Sequence, residues 1–374
     1  MAVRALARVN LAAIERNVAR LRAELTGEAS LCAVIKGDGY GHGSVPAARA
    51  ALAGGAGSLA VATAGEALEV RDAGLEQTIL LMGAISSEEL PVALAARAEV
   101  VAWSDAFVSC AARAADGPLR VHVKLDTGMG RLGTRSVDEA RRVAESVAAA
   151  PGLELAGVMT HFATADGDLE FVRQQLAGFE LFVSELQSRF PGLCVHAANS
   201  AATLRVPASH FDMVRCGIAI YGCDPMNEDP AARGLEPAME LSSYVAAVKR
   251  ARAGESAGYG RRFIAERDTW LATLPIGYAD GIRRALTNNC EVLIGGRRYP
   301  LVGAVSMDNV TVDLGPEDPG VTIGERAVFI GEDGGERQTA EDLARRIDTI
   351  NYEVVCGISQ RVPRVYHRDG ESVS

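Results

Sequence analysis

Short apolar runs alternate with longer helix-patterned stretches from about residue 10 to residue 235, and no other feature of the chain narrows its fold as much. The runs are SLCAVIKG, SLAVAT, TILLMG, EVVAWS, LRVHVKLD, LELAGVMTHF, LCVHAANS and MVRCGIAIYG. Between them lie segments such as GSVPAARAALA, VDEARRVAESVAAA and DLEFVRQQLAGFELFVSELQSR, where apolar residues return at helical spacing. Strand and helix in alternation predict an α/β fold, and eight such units predict a (β/α)8 TIM-type barrel. A doubly wound open sheet answers to the same alternation. After about residue 236 the pattern changes. Strand-like stretches (SYVAAVKRA, TWLATLPIGYADG, CEVLIGGRRYPLVGAVSMDNVTVDLG, ERAVFIG) then follow one another with glycine-rich turns. Gly295-Gly296 suits a hairpin turn, and Thr339 suits the N-cap of a late helix with acidic residues in its first turn. The expected organisation is a barrel over 1–235, whose first residues can join the other domain, and a mostly-β domain over 236–374. A length of 374 residues suits that pair.

The charge balance limits the partners. A net charge of −10 argues against a general nucleic-acid or membrane-surface role, although a local basic pocket is compatible with it. No run of about eighteen apolar residues is present, so no membrane span is expected. The opening segment MAVRALARVNLAAIERNVARLRAEL has no continuous apolar stretch and reads as a strand followed by an amphipathic helix, not as a secretory signal. Seven cysteines are scattered without a Cys-x-x-Cys pair, which suggests reduced core residues and a cytoplasmic protein. No metal site is expected.

The most informative stretch is AVIKGDGYGHG, residues 33–43. Lys36 ends an apolar strand, where an ammonium is costly to bury. Two readings are open at this point: a structural ion pair, or an amine kept for its chemistry. Glycines and a tyrosine follow directly, giving a turn able to approach a phosphate or a ring. A lysine at the C-terminal end of a barrel strand is where a Schiff base to pyridoxal phosphate would sit.

AVIKGDGYGHG closely resembles the cofactor motif of alanine racemases. The resemblance continues through KLDTGMGRLG (124–133), THFATAD (160–166), HAANSAA (196–202), VRCGIAIYG (214–222), GYGRRF (258–263), GYADG (277–281), VSMDNV (305–310) and YEVVCGISQRVPRVY (352–366). It spans both expected domains and implies a barrel followed by a β domain. It also implies a cytoplasmic homodimer in which each active site is shared between subunits, a small amino-acid substrate, and no nucleic-acid or membrane partner. Pyridoxal 5′-phosphate is the cofactor it implies, carried on Lys36.

Under that resemblance Lys36 would be the acid/base on one face of the substrate. Tyr259 of the other subunit would serve the opposite face. Both groups start near pKa 10 and need tuning toward neutrality, which a cationic neighbourhood provides. His161 and Arg215 are the matched residues expected around the ring. An arginine beside the pyridine nitrogen would leave the ring unprotonated, because a guanidinium does not readily give up a proton. Tyr40, Ser200, Gly217, Ile218 and Tyr352 would hold the phosphate. Arg131 would bind the substrate carboxylate, and Met307 and Asp308 would join the substrate site from the second subunit. Lys124 matches a lysine that is carbamylated in many members and orients the arginine at the position of Arg131. Asp166, Tyr278 and Arg284, with Tyr352, match residues lining the channel to the site. The implied role is D-alanine supply for peptidoglycan.

Two departures stand out. Ala304 occupies a position where the family often has an arginine near the channel, so a larger or more varied substrate, such as serine, fits this chain too. Gly37-Asp38-Gly39 replaces the common Ala-Asn-Ala or Ala-Asp-Ala and leaves Lys36 and Tyr40 intact. More distant readings are a decarboxylase of the same fold and a non-catalytic pyridoxal carrier. The first would be expected to place a cysteine and acidic groups in trans, and the second has no use for a β domain bearing a tyrosine.

Overall fold

Each of the eight apolar runs contains a parallel strand in the computed structural model, which describes residues 4–373. They are β1 (Ser30–Val34), β2 (Ser58–Val61), β3 (Ile79–Leu81), β4 (Glu99–Ala102), β5 (Leu119–Lys124), β6 (Leu153–Met159), β7 (Cys194–His196) and β8 (Met213–Cys216). Neighbours pair in sequence order from β1 to β7, and β8 returns to pair with β1, with Ser30 opposite Met213 and Ala33 opposite Cys216. Hydrogen bonds also bridge the β7–β8 seam. Asp212 N–H donates to Val195 O (3.1 Å), Arg215 N–H to Ala198 O (2.9 Å), and Val195 N–H to the Asp212 carboxylate (2.8 Å). Closure settles the fold as the barrel rather than the open sheet.

Local chemistry explains where its helices start. Thr63 caps helix Ala64–Asp72 in a reciprocal box with Glu66, Ser136 caps Val137–Ala149, and Asp168 caps Leu169–Arg189. The strands bury Leu31, Ala33, Leu59, Leu81, Val100, Val123 and Val158. This unit, Ile14–Ile220, is one of two compact bodies.

The other body combines residues 4–13 with 221–373. Its chain begins at Tyr221, before the change of sequence character near 236. The intervening segment is fastened within this body: Ala238 N–H donates to Tyr221 O (3.0 Å) and Asp224 N–H to the Glu341 carboxylate (2.9 Å). Its main sheet has eleven strands. The first strand of the chain, Ala5–Asn10, lies inside that sheet, antiparallel to Met239–Tyr244 and parallel to Arg364–Arg368. The run SYVAAVKRA breaks after Tyr244, and Ala247–Ala251 pairs instead with Thr269–Leu274. Gly295-Gly296 forms the two-residue turn of the hairpin Glu291–Ile294/Arg297–Val302, with φ values of 58° and 73°. Thr339 caps Ala340–Arg346 in a box with Asp342. A two-stranded ribbon, Ser256–Ala257 with Phe263–Ile264, stands apart from the main sheet.

The cysteines are all free. The expectation that they are core residues holds for Cys32, Cys216, Cys223 and Cys290, whereas Cys110 and Cys194 are half-buried and Cys356, at the end of helix Asn351–Cys356, is exposed. Among the described residues no helix is long and apolar enough to cross a membrane, and no cluster of His, Cys, Asp or Glu is arranged to hold a metal ion.

Candidate active site

Parallel strands in a barrel deliver their following residues to one rim, and the expected barrel residues all lie at or just beyond C-terminal strand ends. Lys36 follows β1, Lys124 ends β5, His161 follows β6, Ser200 follows β7, and Arg215 lies in β8 ahead of Gly217 and Ile218.

The turn after Lys36 is left-handed. Gly37, Asp38, Gly39 and Tyr40 have φ between 52° and 62°, and Gly39 N–H donates to Ile35 O (2.9 Å) while Gly41 N–H donates to Gly37 O (3.0 Å). Such a turn is strained for L-residues and free for glycine, which explains why the apolar strand gives way to alternating glycines. Asp38 is held there by accepting Ser44 N–H at 3.0 Å. Glu66 ties the turn to the end of β2: one carboxylate oxygen accepts Gly37 N–H (2.6 Å), the other Ala62 N–H (2.9 Å) and Thr63 N–H (3.1 Å). Sequence reasoning did not single out Glu66. The Thr63-x-x-Glu66 spacing is a helix-start signal that went unread, and it carries no sign of the bond to Gly37.

Arg215 is 2% exposed. NH2 donates to Thr160 O (2.8 Å) and Ala197 O (2.9 Å) and lies 3.2 Å from His161 Nδ1; NH1 lies 2.8 Å from His196 Nδ1. No acid pairs with it among the described residues, and its buried Nε–H has no hydrogen-bond partner there. Burial lowers its pKa to about 10, which still leaves it protonated at neutral pH. Burial and then the Arg215 charge, with Lys124, Arg131 and Lys36 adding to it, push His161 well below its ordinary value, so its ring is neutral.

Lys124 sits in the same positive field. It is 4% exposed, and burial, then Arg215 and Arg131, bring its amine down to about 8. Arg131 itself is exposed, on a loop organised by Asp126, whose carboxylate accepts Gly128 N–H (3.1 Å), Gly130 N–H (3.0 Å) and Arg135 Nε–H (3.2 Å). Asp126 belongs to the matched motif, yet its role as the loop's anchor was not foreseen. Asp166 is exposed in the turn after β6.

Ser200 is buried, and its hydroxyl oxygen accepts Gly217 N–H at 2.9 Å. The neighbouring Asn199 caps helix Ser200–Arg205, which frees Ser200 for this contact. A methyl group at Gly217 would come 2.4 Å from the Tyr40 hydroxyl oxygen, so only glycine lets the two approach. Tyr40, Ser200, Gly217 and Ile218 are thus buried together at the mouth between β1, β7 and β8.

The β unit presents its expected residues differently. Tyr259 lies on the tip of the small ribbon and is 76% exposed, between Gly258 and Gly260, both at positive φ. Ala304 is buried against this tip: a methyl group at Gly258 would lie 3.2 Å from Ala304 N. Met307 is exposed, and the 306–309 turn is gripped by Tyr278 N–H to Ser306 O (3.0 Å) and Ala279 N–H to Met307 O (3.1 Å). Arg361 binds both Asp308 (2.7 Å) and the buried Asp280 (2.9 Å). Tyr278, Met307 and Asp308 therefore share one locale. Arg284 and Tyr352 sit on elements joined by Arg283, which donates to Glu353 O at 2.8 Å.

The family signature described as the alanine racemase N-terminal domain matches residues 9–225, and the alanine racemase C-terminal domain matches 238–366. An alanine racemase of Halalkalibacterium halodurans is 41% identical over 98% of this chain and 96% of its own. One of Treponema pallidum is 42% identical over 96% of this chain and 98% of its own. The crystal structure of alanine racemase from Bacillus anthracis with bound L-Ala-P superposes with a TM-score of 0.91 at 37% identity, covering 100% of this chain and 97% of that one. That from Streptomyces lavendulae also gives 0.91, at 38% identity and 98% coverage of both. Similarity at this level along the whole length of both chains leaves no room for a shared fold alone: the chain belongs to the alanine racemase family.

Proposed function

We propose that this protein interconverts L- and D-alanine with pyridoxal 5′-phosphate held on Lys36. The observation that carries this reading is the buried Arg215 Nε–H, which has no acceptor among the described residues, on the same barrel rim as the Lys36 amine. A donor left this way suits an aromatic nitrogen with a free lone pair. The rest of the rim fits the same group. Hydroxyls of Tyr40 and Ser200 and the amide of Ile218 suit its phosphate without bulk positive charge, and Gly217, whose N–H is given to the Ser200 oxygen, would aim that hydroxyl's proton at it. Tyr352 would complete that set.

When bound, the cofactor supplies an electron-withdrawing ring linked to the substrate's amine, which acidifies the Cα–H. Lys36 Nζ then takes or returns the proton on one face. Tyr259 Oη does the same on the other, because racemisation requires a proton to leave one face and return on the opposite one. Arg215 keeps its own proton and so limits how much electron density the ring draws, which restrains side reactions. The positive field that would favour an ionised tyrosine comes from Arg215, Lys124 and Arg131, and His161, held neutral by the same field, would stand beside the ring without adding charge. Arg131 takes the substrate carboxylate in its guanidinium fork.

The exposure of Tyr259, Met307 and Tyr278 supports their service to a second copy of the chain, in a homodimer with shared sites. Asp308 would stand with Met307 there, and Asp166, Tyr278 and Arg284 would line the approach. Lys124 suits carbamylation: an amine near 8, among cations that outweigh the nearby Asp126 carboxylate, is nucleophilic at neutral pH, and its carbamate would turn a repulsive neighbour of Arg131 into an attractive one. D-alanine made this way suits peptidoglycan supply.

A second reading, a substrate range wider than alanine, rests on the missing bulk and charge of an arginine at Ala304, which packs buried beside the Tyr259 tip. One experiment addresses both. Cofactor-saturated protein is incubated with each enantiomer of alanine, serine and larger amino acids, and the enantiomers are separated over time. Alanine is expected to reach an equal mixture from either side. Absence of interconversion for every amino acid would overturn the reading; equal rates for alanine and serine would establish the wider range.

A further inference from the structure

Arg215 is a buried cation with no contacting acid among the described residues, and a chain of polar side chains leads away from it through the barrel interior. His196 Nδ1 lies 2.8 Å from Arg215 NH1, His196 Nε2 lies 2.8 Å from His122 Nδ1, and His122 Nε2 lies 2.7 Å from a Glu99 carboxylate oxygen. These residues come from β8, β7, β5 and the first position of β4. The line therefore runs from the active-site rim to the opposite end of the barrel. Both histidines are buried, and the two rings meet edge to face with centroids 4.9 Å apart.

Only one placement of protons satisfies this line. A guanidinium can only donate, so His196 Nδ1 must accept and its proton resides on Nε2. His122 Nδ1 must then accept, which places its proton on Nε2, and an ionised Glu99 can only accept. Every hydrogen bond thus points from Arg215 toward Glu99, and a second proton on either ring would set two donors face to face. The charges agree with this. Burial works to raise the Glu99 carboxyl, but His122 and Arg120 outweigh it and hold it below the ordinary carboxylate range, while burial and Arg215 hold His196 well below the usual histidine value. The backbone makes room for the line. The β5–β6 register shifts between Val121 and His122, and His122 falls opposite Gly157, where a methyl group would come 2.5 Å from His122 Nδ1.

We propose that Glu99, His122 and His196 are positioning residues for Arg215, a relay that fixes its guanidinium through two neutral imidazoles whose tautomers the Glu99 acceptor sets. The proposal rests on the racemase reading only for the use of Arg215; the relay itself is a property of the barrel.

The test uses holoenzyme labelled with 15N-histidine, with Glu99→Gln and Glu99→Leu beside the parent. In the parent, nitrogen shifts should show His122 and His196 neutral and protonated on Nε2 from pH 6 to pH 9. Glu99→Gln keeps an acceptor and should keep both tautomers. Glu99→Leu removes the acceptor and should change the His122 signals, with kcat falling about tenfold to a hundredfold and KM little changed, the weight of one hydrogen bond involving a charged group. Recovery of most of kcat in Glu99→Gln would support positioning. A proton on Nδ1 of either ring in the parent would overturn the relay even if Glu99→Leu does not fold. So would a folded Glu99→Leu with parental signals and kcat. A parent with the expected tautomers but no racemisation would instead refute the racemase reading and leave the relay standing.

Discussion

The two units prepare their functional groups in opposite ways. In the barrel two of the expected cations are sunk in protein: Arg215 and Lys124 are buried, and desolvation is the largest cause that pushes each below its ordinary value. The β unit instead carries Tyr259, Tyr278 and Met307 in the open, and places them with backbone turns and with the surface pairs of Arg361 to Asp280 and Asp308. Burial sets a chemical environment but fixes it once and for all. Exposure leaves a group free to be covered by another surface. On the proposed reading the barrel surrounds Lys36 with buried cations, whereas the β unit offers Tyr259 on an open surface.

The largest effects test that contrast directly. Lys36→Ala and Tyr259→Phe should each lower racemisation by about 10²-fold to 10⁴-fold, the usual weight of a positioned acid or base. Tyr259→Phe should retain the cofactor and still exchange the Cα proton of one enantiomer with deuterated water. Equal loss of exchange from both enantiomers would contradict a base on each face. Mixing the two variants separates service within a chain from service between chains. If sites are shared, each heterodimer has one site with Lys36 and Tyr259 both intact, and a random mixture should recover about one quarter of the parental activity. No recovery after subunit exchange has been shown would place both residues in one chain's site.

The sequence made one half of this arrangement more visible than the other. Lys36 and Arg215 were legible because each interrupts an apolar run, and a charge in a buried strand needs a reason. The eight runs were legible for the same cause, since their apolar continuity leaves few alternatives. The relay behind Arg215 was not. His122 and His196 appeared as isolated histidines in LRVHVK and CVH, and only the barrel brings β5 and β7 close enough for their rings to meet. Ala5–Asn10 was equally opaque: a strand's own residues do not reveal partners at Met239–Tyr244 and Arg364–Arg368. Tyr259 had no burial signal and was found only by resemblance.

A smaller effect asks whether the barrel's tuning costs stability. The amine of Lys124 stands near 8 in the folded chain against an ordinary 10.5. A lysine with a depressed folded value binds fewer protons folded than unfolded between those limits, so stability rises with pH across that window. Below about pH 8 the folded state carries the whole penalty, on the order of 3 kcal/mol. Lys124→Met should therefore be more stable than the parent at pH 7 in carbon-dioxide-free buffer. That advantage should shrink steadily from about pH 8 and vanish near pH 10.5, as read by urea unfolding. A constant difference at all pH values would show that packing, not charge, separates the two proteins. If bicarbonate narrows the gap at pH 7, carbamylation is the natural relief of the same penalty.

The smallest effect concerns strain at the catalytic turn. Gly37 has φ 62° and ψ 45°, and a methyl group there would meet nothing within 4 Å. Space being open, any cost of Gly37→Ala must come from the left-handed backbone alone, about 1 kcal/mol. Gly65, in helix Ala64–Asp72, is also open to a methyl group but lacks a positive φ. Gly65→Ala should thus stabilise by about 0.5–1 kcal/mol through helix propensity, opposite in sign to Gly37→Ala. If both substitutions stabilise, the turn after Lys36 is not held left-handed in solution. Opposite signs would locate the strain at the barrel's lysine, in the turn that Glu66 clamps to the end of β2.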